Sequence, residues 1–439
     1  MSIEIITLLI FGTLFLLLAL GVPVAFGLGA VGVGFTILLW GAPALFNMAI
    51  VIFKNMSSAI LLAIPLFLLM ANFLQHSGIA DTAYETAYRW MGPLRGGLAM
   101  GTVIICTIFA AMSGVSGAAT VTMGLIAIPS MLKRGYDKRI AVGCVAAGGV
   151  LGIIIPPSVI MILYASFTRE SVGGLFFGGI IPGIIVASLH ITYIGIRSYL
   201  QPHLAPAIAP EERVSLREKI VSLRAIVLPV ALIILVLGSI WTGAATPTEA
   251  AGVGAMGALI CAAIYRRANW QMLNDSIRTT LRITCMVMWI VAAATAFNSL
   301  YVAVGARELI TNLILGLEVN PWIILVGMQL TLFFLGMIMD DYAIVMLAAP
   351  IYVPIIKMLG FDPLWFGILF ILNMQMAYLT PPYGFNLFYL KGIVPKGVTM
   401  GDIYRSIVPF VAMQGIGLAL VMIFPQLALW LPSMAVFTG

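Results

Sequence analysis

Charge is what this sequence has least of. Of 439 residues, only 22 are Lys or Arg and 16 are Asp or Glu, 9% in all, against roughly 25% in a soluble domain. So few charges cannot coat a water-soluble surface, and they are unevenly spread. No Asp, Glu, Lys or Arg occurs over residues 5–53, 55–80, 96–132, 140–168, 225–248, 283–306, 363–390 or 406–439. Crossing about 30 Å of hydrocarbon takes about 20 apolar residues. The chain therefore reads as an all-α polytopic membrane protein. The short alternating segments of a membrane β-barrel are missing.

Other absences narrow the function. Cysteine occurs four times (Cys106, Cys144, Cys261, Cys285), always in apolar surroundings and never with CxxC spacing, which suits core packing. His76, His190 and His203 are isolated, so no metal triad can be built from them. HExxH, GxSxG and Walker A sequences do not occur, which removes the usual routes to an embedded hydrolase or an ATPase. The chain is expected to be no enzyme and to need no cofactor. The first apolar stretch is too long for a signal peptide and has no basic leader. The net charge of +6 comes from short basic clusters: Lys133, Arg134, Lys138 and Arg139; Arg213, Arg217, Lys219 and Arg224; Arg266 and Arg267; Arg278 and Arg282. Clusters of this kind anchor cytoplasmic loops; a nucleic-acid partner is not expected.

The spans divide the chain. Residues 3–20 and 22–40 form one or two spans, and 57–75 another. Residues 94–132 are uncharged with Ser113-Gly114-Val115-Ser116-Gly117 at the middle. As one helix they would be about twice as long as the membrane core is thick, so a hairpin turning within the membrane is expected. Residues 140–168 are interrupted at Pro156-Pro157, and a span near 173–197 follows. A polar, proline-rich arm covers 198–224. Spans at 225–241 and 246–265, an amphipathic piece at 267–282 and a span at 283–304 come next. A second hairpin is read over 321–356, a second interrupted segment over 363–390, and a last span near 406–424. Small-residue runs such as 27–34 read as close helix packing.

Two of these blocks match. Pro129, Gly135 and Asp137 precede Pro156-Pro157 by 27, 21 and 19 residues, and Pro354, Gly360 and Asp362 precede Pro381-Pro382 by the same distances. The spacing of Gly174 to Pro182 recurs as Gly401 to Pro409. The loop after the first hairpin carries net charge +3, while its counterpart at 357–362 is neutral. By the positive-inside rule the two loops face opposite sides. That is the pattern of inverted repeats with discontinuous helices, whose breaks are where transporters bind substrates and ions.

Backbone groups at such a turn or break lose partners in a medium where each loss costs several kcal/mol. Pro156 and Pro157 remove the donors for the carbonyls of Gly152 and Ile153, with Gly148 and Gly149 one turn upstream. Together with Ser113 and Ser116 these oxygens make a largely neutral cage suited to Na+, whereas Mg2+ or Ca2+ would demand carboxylates. The second half-site pairs Gly336, Asp340 and Asp341 with Thr380-Pro381-Pro382. Intramembrane acids mark function, although a hairpin tip that reaches the interface would simply solvate both. Asn373, Gln375, Tyr383 and Asn386 are further polar candidates.

The stretches Phe109–Ala118, Gly152–Ser158, Gly336–Asp340 and Tyr378–Tyr383 resemble those of the large membrane subunit of tripartite ATP-independent periplasmic (TRAP) transporters, the DctM-like family, over essentially the whole chain. The resemblance implies a bacterial inner-membrane protein with inverted-topology repeats. Re-entrant hairpins and discontinuous helices would form an elevator-type transport domain moving past a scaffold. Residues 1–93 and 198–304 would be scaffold and arm, and 94–197 and 305–439 the two transport repeats. The partners implied are a separate small four-helix membrane subunit and a periplasmic substrate-binding protein. Na+ would drive uptake of an organic anion such as a C4-dicarboxylate, sialic acid or another sugar or keto acid. One Na+ site would use Ser113, Ser116 and carbonyls around Gly149, Gly152 and Pro156; the other Gly336, Asp340, Thr380 and Pro381. The anion would meet Ser116, Ser158, Asp341, Tyr383 and Asn386. The competing expectations are a self-sufficient anion carrier, a channel, and a non-transporting assembly subunit.

Overall fold

The computed structural model describes residues 2–316, 318–382 and 384–436. Every regular element among them is helical. Two apolar helices, α1 (Ile3–Ala19) and α2 (Val24–Trp40), turn at Gly21 and Pro23 and lead through a short amphipathic α3 (Ala44–Met56) into α4 (Ala59–His76). An amphipathic α5 (Ile79–Met91) follows. The first hairpin is α6 (Gly97–Ser113) and α7 (Ser116–Lys133), and the first broken helix is α8 (Lys138–Val150) and α9 (Val159–Thr168). After α10 (Val172–Leu200) comes the arm, irregular apart from single helical turns and α11 (Leu216–Ser222). It leads into α12 (Arg224–Trp241), α13 (Pro247–Ile264) and α14 (Trp270–Ala303). The second half has α15 (Ala306–Leu315), a hairpin of α16 (Pro321–Gly336) and α17 (Asp341–Met358), a broken helix of α18 (Pro363–Tyr378) and α19 (Phe385–Ile393), then α20 (Met400–Ile423) and α21 (Gln426–Met434). Among the described residues six helices (α4, α10, α13, α14, α17 and α20) are individually long and apolar enough to cross a membrane.

The expected amphipathic piece and span at 267–304 are one continuous helix of 34 residues. Nothing between Trp270 and Ala303 breaks it, since that stretch holds neither Gly nor Pro. Four short helices, α3, α5, α15 and α21, have no counterpart in the sequence reading. They lack the length of a span and lie beside the longer elements.

The matched residues have matched jobs. Gly135 and Gly360 take left-handed backbone, at φ 77° and 79°, just beyond the hairpins' second arms. Asp137 and Asp362 cap α8 and α18: Asp137 accepts from the Arg139 amide at 2.9 Å, and Asp362 from the Leu364 and Trp365 amides at 2.8 and 2.9 Å. Each cap contributes about 1 kcal/mol. Pro129 and Pro354 lie inside α7 and α17 at the same distance from their starts. Pro156-Pro157 and Pro381-Pro382 are both cis.

Contacts at the ends show that the repeats are inverted. The open end of the first hairpin is closed by Leu98 N–H donating to the Tyr136 hydroxyl. Beside it Lys138, at the start of α8, reaches Gly397 O at 3.0 Å. The open end of the second hairpin, at Lys357, pairs at 3.0 Å with Glu170 beyond the far end of α9. One hairpin thus enters from each side. Following the chain outward from these points leaves four cations at the second end: Lys54, Arg169, Arg307 and Lys357. The remaining Lys and Arg residues among those described cluster toward the first. This is the charge asymmetry of a membrane protein whose first end is cytoplasmic.

Residues 140–150 of α8 are all buried, as are 13 residues of α18. Leu8, Leu38, Phe46 and Trp270 of the peripheral helices are over 70% exposed. Such apolar side chains face lipid; the broken helices, whose backbone could not, lie at the centre.

Candidate functional site

Each hairpin tip sits on the break of its own repeat. α6 ends at Gly114, whose φ is 61° and whose Cβ, if it had one, would lie 2.6 Å from Pro157 O. Only glycine fits there. The Val159 amide donates to Gly114 O at 3.3 Å, stitching the tip to the break. Gly152 lies against the same tip, since a Cβ there would be 3.3 Å from Val115 O and 3.5 Å from Ser116 N. At the other tip Gly336 faces Ala377, with no room for a methyl group.

The breaks expose oxygens, and neighbouring side chains claim several. Ser158 Oγ donates to Ile153 O at 2.6 Å, so that carbonyl already has a partner. Gln375 Nε2 donates to Val150 O at 2.9 Å. Asn386 is fully buried; its Nδ2 donates to Ala146 O at 2.9 Å and its Oδ1 accepts from Thr120 Oγ1 at 2.7 Å. The second repeat thereby holds the first repeat's broken helix. Gly149 is packed on Thr120, where a Cβ would come within 1.8 Å of Oγ1. Its place is one of close approach.

The two tips meet at a cavity of about 90 Å³, room enough for a few water-sized guests. From the first repeat it is lined by Gly114, Val115, Ser116, Gly117, Ile153 and Ile160, and from the second by Asp341, Tyr342, Tyr378 and Tyr389. Ile283 and Met286 of α14 complete it. Asp341 is 3% exposed; its Oδ1 accepts from the Tyr378 hydroxyl at 2.6 Å and from the Tyr342 amide at 3.0 Å. One carboxylate oxygen is left without a side-chain partner. Asp340 is the N-cap of α17, accepting from the Ala343 amide at 2.9 Å.

Of the residues expected from sequence, Ser116 and Asp341 line this cavity together. Ser113, Gly152 and Pro156 are buried around the first tip and break, with Ser113 Oγ donating to Val115 O at 3.3 Å. Thr380 turns its hydroxyl back to Met376 O at 2.7 Å, next to Pro381. Ser158 and Asn386 are bonded away from the cavity as described, and Tyr383 lies outside the described residues. Tyr378 and Tyr389 were not singled out by sequence. A tyrosine in an apolar run looks like packing, and only the closed tip shows its hydroxyl on Asp341. Among the described residues no group of three or more His, Cys, Asp or Glu is placed to hold a metal ion.

The family model described as "Tripartite ATP-independent periplasmic transporter, DctM component" matches residues 11–427. The chain belongs to that family. This DctM-family chain is 36% identical over 399 residues to the C4-dicarboxylate TRAP transporter large permease protein DctM of Pseudomonas aeruginosa, covering 91% of this chain and 92% of that one. It is 31% identical over 428 residues to the sialic acid TRAP transporter large permease protein SiaM of Vibrio cholerae, covering 97% and 98%. In fold it is similar to the YdaH transporter of Alcanivorax borkumensis, with a TM-score of 0.64 over 98% of this chain and 99% of that one, at 16% identity. The DctM-family chain is therefore a transport protein of the membrane and not an enzyme.

Proposed function

We propose that the chain carries a small organic anion across the bacterial inner membrane by Na+ symport, receiving it from a periplasmic binding protein and working beside a small four-helix membrane subunit. Relatives named for C4-dicarboxylate and for sialic acid support the substrate class, a carboxylate-bearing solute. One observation carries the reading: Ser116 and Asp341, from equivalent places in inverted repeats, face a single cavity between the two breaks.

The chemistry runs as follows. An ionised Asp341 repels an organic anion, so its place beside the anion requires a cation between them. Asp341 is thus a Na+ ligand, with Asp340 left to cap α17. Ser113, Ser116 and the Gly152 carbonyl form the other, neutral Na+ cage. With Na+ bound, both tips are held closed on the breaks. The start of α7 then points a helix N-terminus at the anion. Among the described residues no Arg lines the cavity, so Na+ supplies the positive charge that makes binding of anion and cation interdependent.

The moving body consists of both hairpins, both broken helices, α10 and α20. The frame consists of α1–α4 and α12–α14. α15 packs on α1 and α14 and also on α17; we count it with the frame, so that the second transport repeat would begin at Pro321 instead of residue 305. The body travels as a unit past α14 in an elevator motion.

Reconstitution tests this. Proteoliposomes holding the chain and its small subunit should take up solute only with the loaded binding protein and an inward Na+ gradient. Uptake without binding protein would mark a self-sufficient carrier. Non-saturating flux would mark a channel, and no flux in any combination would leave an assembly subunit.

A further inference from the structure

The end of the molecule poor in positive charge concentrates what it has. Of its four cations, Arg169, Arg307 and Lys357 line one cavity of about 390 Å³, together with Asn298. Among the described residues no Asp or Glu lines it. The cavity lies on the seam between the proposed body and frame: Arg169 follows α9, Lys357 ends α17, Asn298 is on α14 and Arg307 on α15. Lys357 is paired with Glu170 at 3.0 Å. Among the described residues no carboxylate comes within 4 Å of Arg169 or Arg307, and both are exposed.

Arg169 is placed at some cost. Its φ is 62°, the left-handed backbone that glycine adopts freely, at the C-cap of α9. There it borders two further cavities, of about 520 and 160 Å³, along the same seam. Asn298 is shared with the smaller one. Met286 of the tip cavity and Asn298 of this one are both on α14, roughly 18 Å apart along its axis at 1.5 Å per residue. The cationic cavity is thus further along the helix past which the tips would travel.

We infer that this cavity is a receiving site for the solute's carboxylate, occupied before the anion reaches the tips. This rests on the anion-symport reading above. Guanidinium groups bind carboxylates through paired charge-assisted hydrogen bonds, and the tip cavity has none to offer. The two sites divide the work: the outer one selects negative charge without Na+, and the inner one binds only with Na+. Glu170 competes for Lys357 and keeps the outer site weak enough to release its guest.

The test is succinate binding to the purified membrane complex, followed by saturation-transfer NMR in K+ medium free of Na+. Weak binding is expected there, fading as ionic strength rises. The R169Q/R307Q pair should weaken it at least about tenfold, as loss of two charge-assisted contacts implies. Glu170→Gln should strengthen it about twofold by freeing one cation, an effect that misfolding cannot mimic. Ser116→Ala should leave it unchanged, so failure of the tip reading and failure of this one are separable. Absence of binding in K+, or binding indifferent to the arginine pair, overturns the inference. So does a variant that still binds succinate but needs more binding protein for uptake, since the cations would then dock that protein.

Discussion

Ser116 and Asp341 are structural equivalents: each is the first residue of its hairpin's second arm, and both face the same small cavity. One repeat brings a neutral hydroxyl to that position and the other a carboxylate. The two matched repeats thereby present one uncharged and one acidic group to the cavity, and each is proposed to serve one Na+ site.

The two adjacent acids should separate cleanly. Asp341→Asn and Ser116→Ala are expected to lower Na+-driven uptake by at least about tenfold, equivalent to 1.4 kcal/mol or more, with normal yield of folded protein. Asp340→Asn keeps a cap and should transport nearly normally, while Asp340→Ala should lose about 1 kcal/mol of stability. Uptake and thermal unfolding of the four variants, measured side by side, decide the assignment.

Asn386 tests how the repeats hold each other. Its side chain is fully buried between Thr120 and Ala146 O, so Asn386→Leu removes both hydrogen bonds and leaves the buried Thr120 hydroxyl without this partner, at about 1–3 kcal/mol. A lowered unfolding temperature in detergent is expected even without Na+ or solute. An unchanged temperature would show that the clamp is not structural.

At Gly149 the expectation is steric. An added methyl meets Thr120 Oγ1 and also its Cα, 3.0 Å away, so a rotamer change alone does not relieve it. Gly149→Ala should destabilise by about 1–3 kcal/mol, the usual range for overpacking. The double variant with Thr120→Gly should recover part of that, as read by unfolding midpoints.

The arm offers a pH test. Its Ile208 amide donates to Gly92 O at 3.0 Å, and Glu212 takes a hydrogen bond from the Tyr88 hydroxyl and lies 3.5 Å from Arg134. These two partners, Tyr88 foremost, hold the Glu212 carboxyl below its ordinary range. A carboxyl lowered by docking stabilises the docked form above its free value and loses that contribution as pH falls through the docked one. Hydrogen-exchange protection of the Ile208 amide, corrected for the slower intrinsic exchange in acid, should fall as pH drops below the usual glutamate range. Glu212→Gln should show the lowered protection already at pH 7.

The architecture was legible because lipid constrains the chain so strongly. Charge gaps located the spans, and Pro156-Pro157 with Pro381-Pro382 located both breaks. The paired caps Asp137 and Asp362 kept the repeats in register. The continuity of α14 was missed because Arg278 and Arg282 make its first half look interfacial, although no residue breaks it. Contacts between distant segments were beyond reach. Gln375 on Val150 O and Tyr378 on Asp341 join residues of different helices, and no spacing rule announces them. The same limit hid the capping role of Asp340, which a neighbouring, equally acidic Asp341 disguised.

Most direct is the cation dependence of access to the tip cavity. A Ser116→Cys variant, with Cys285 replaced by Ser because it alone of the four native thiols is exposed, would be labelled with a maleimide in the reconstituted complex. Na+ with solute should slow the labelling severalfold, while K+ with solute should not. Labelling at one rate under both conditions would contradict a cation-built site between the hairpins.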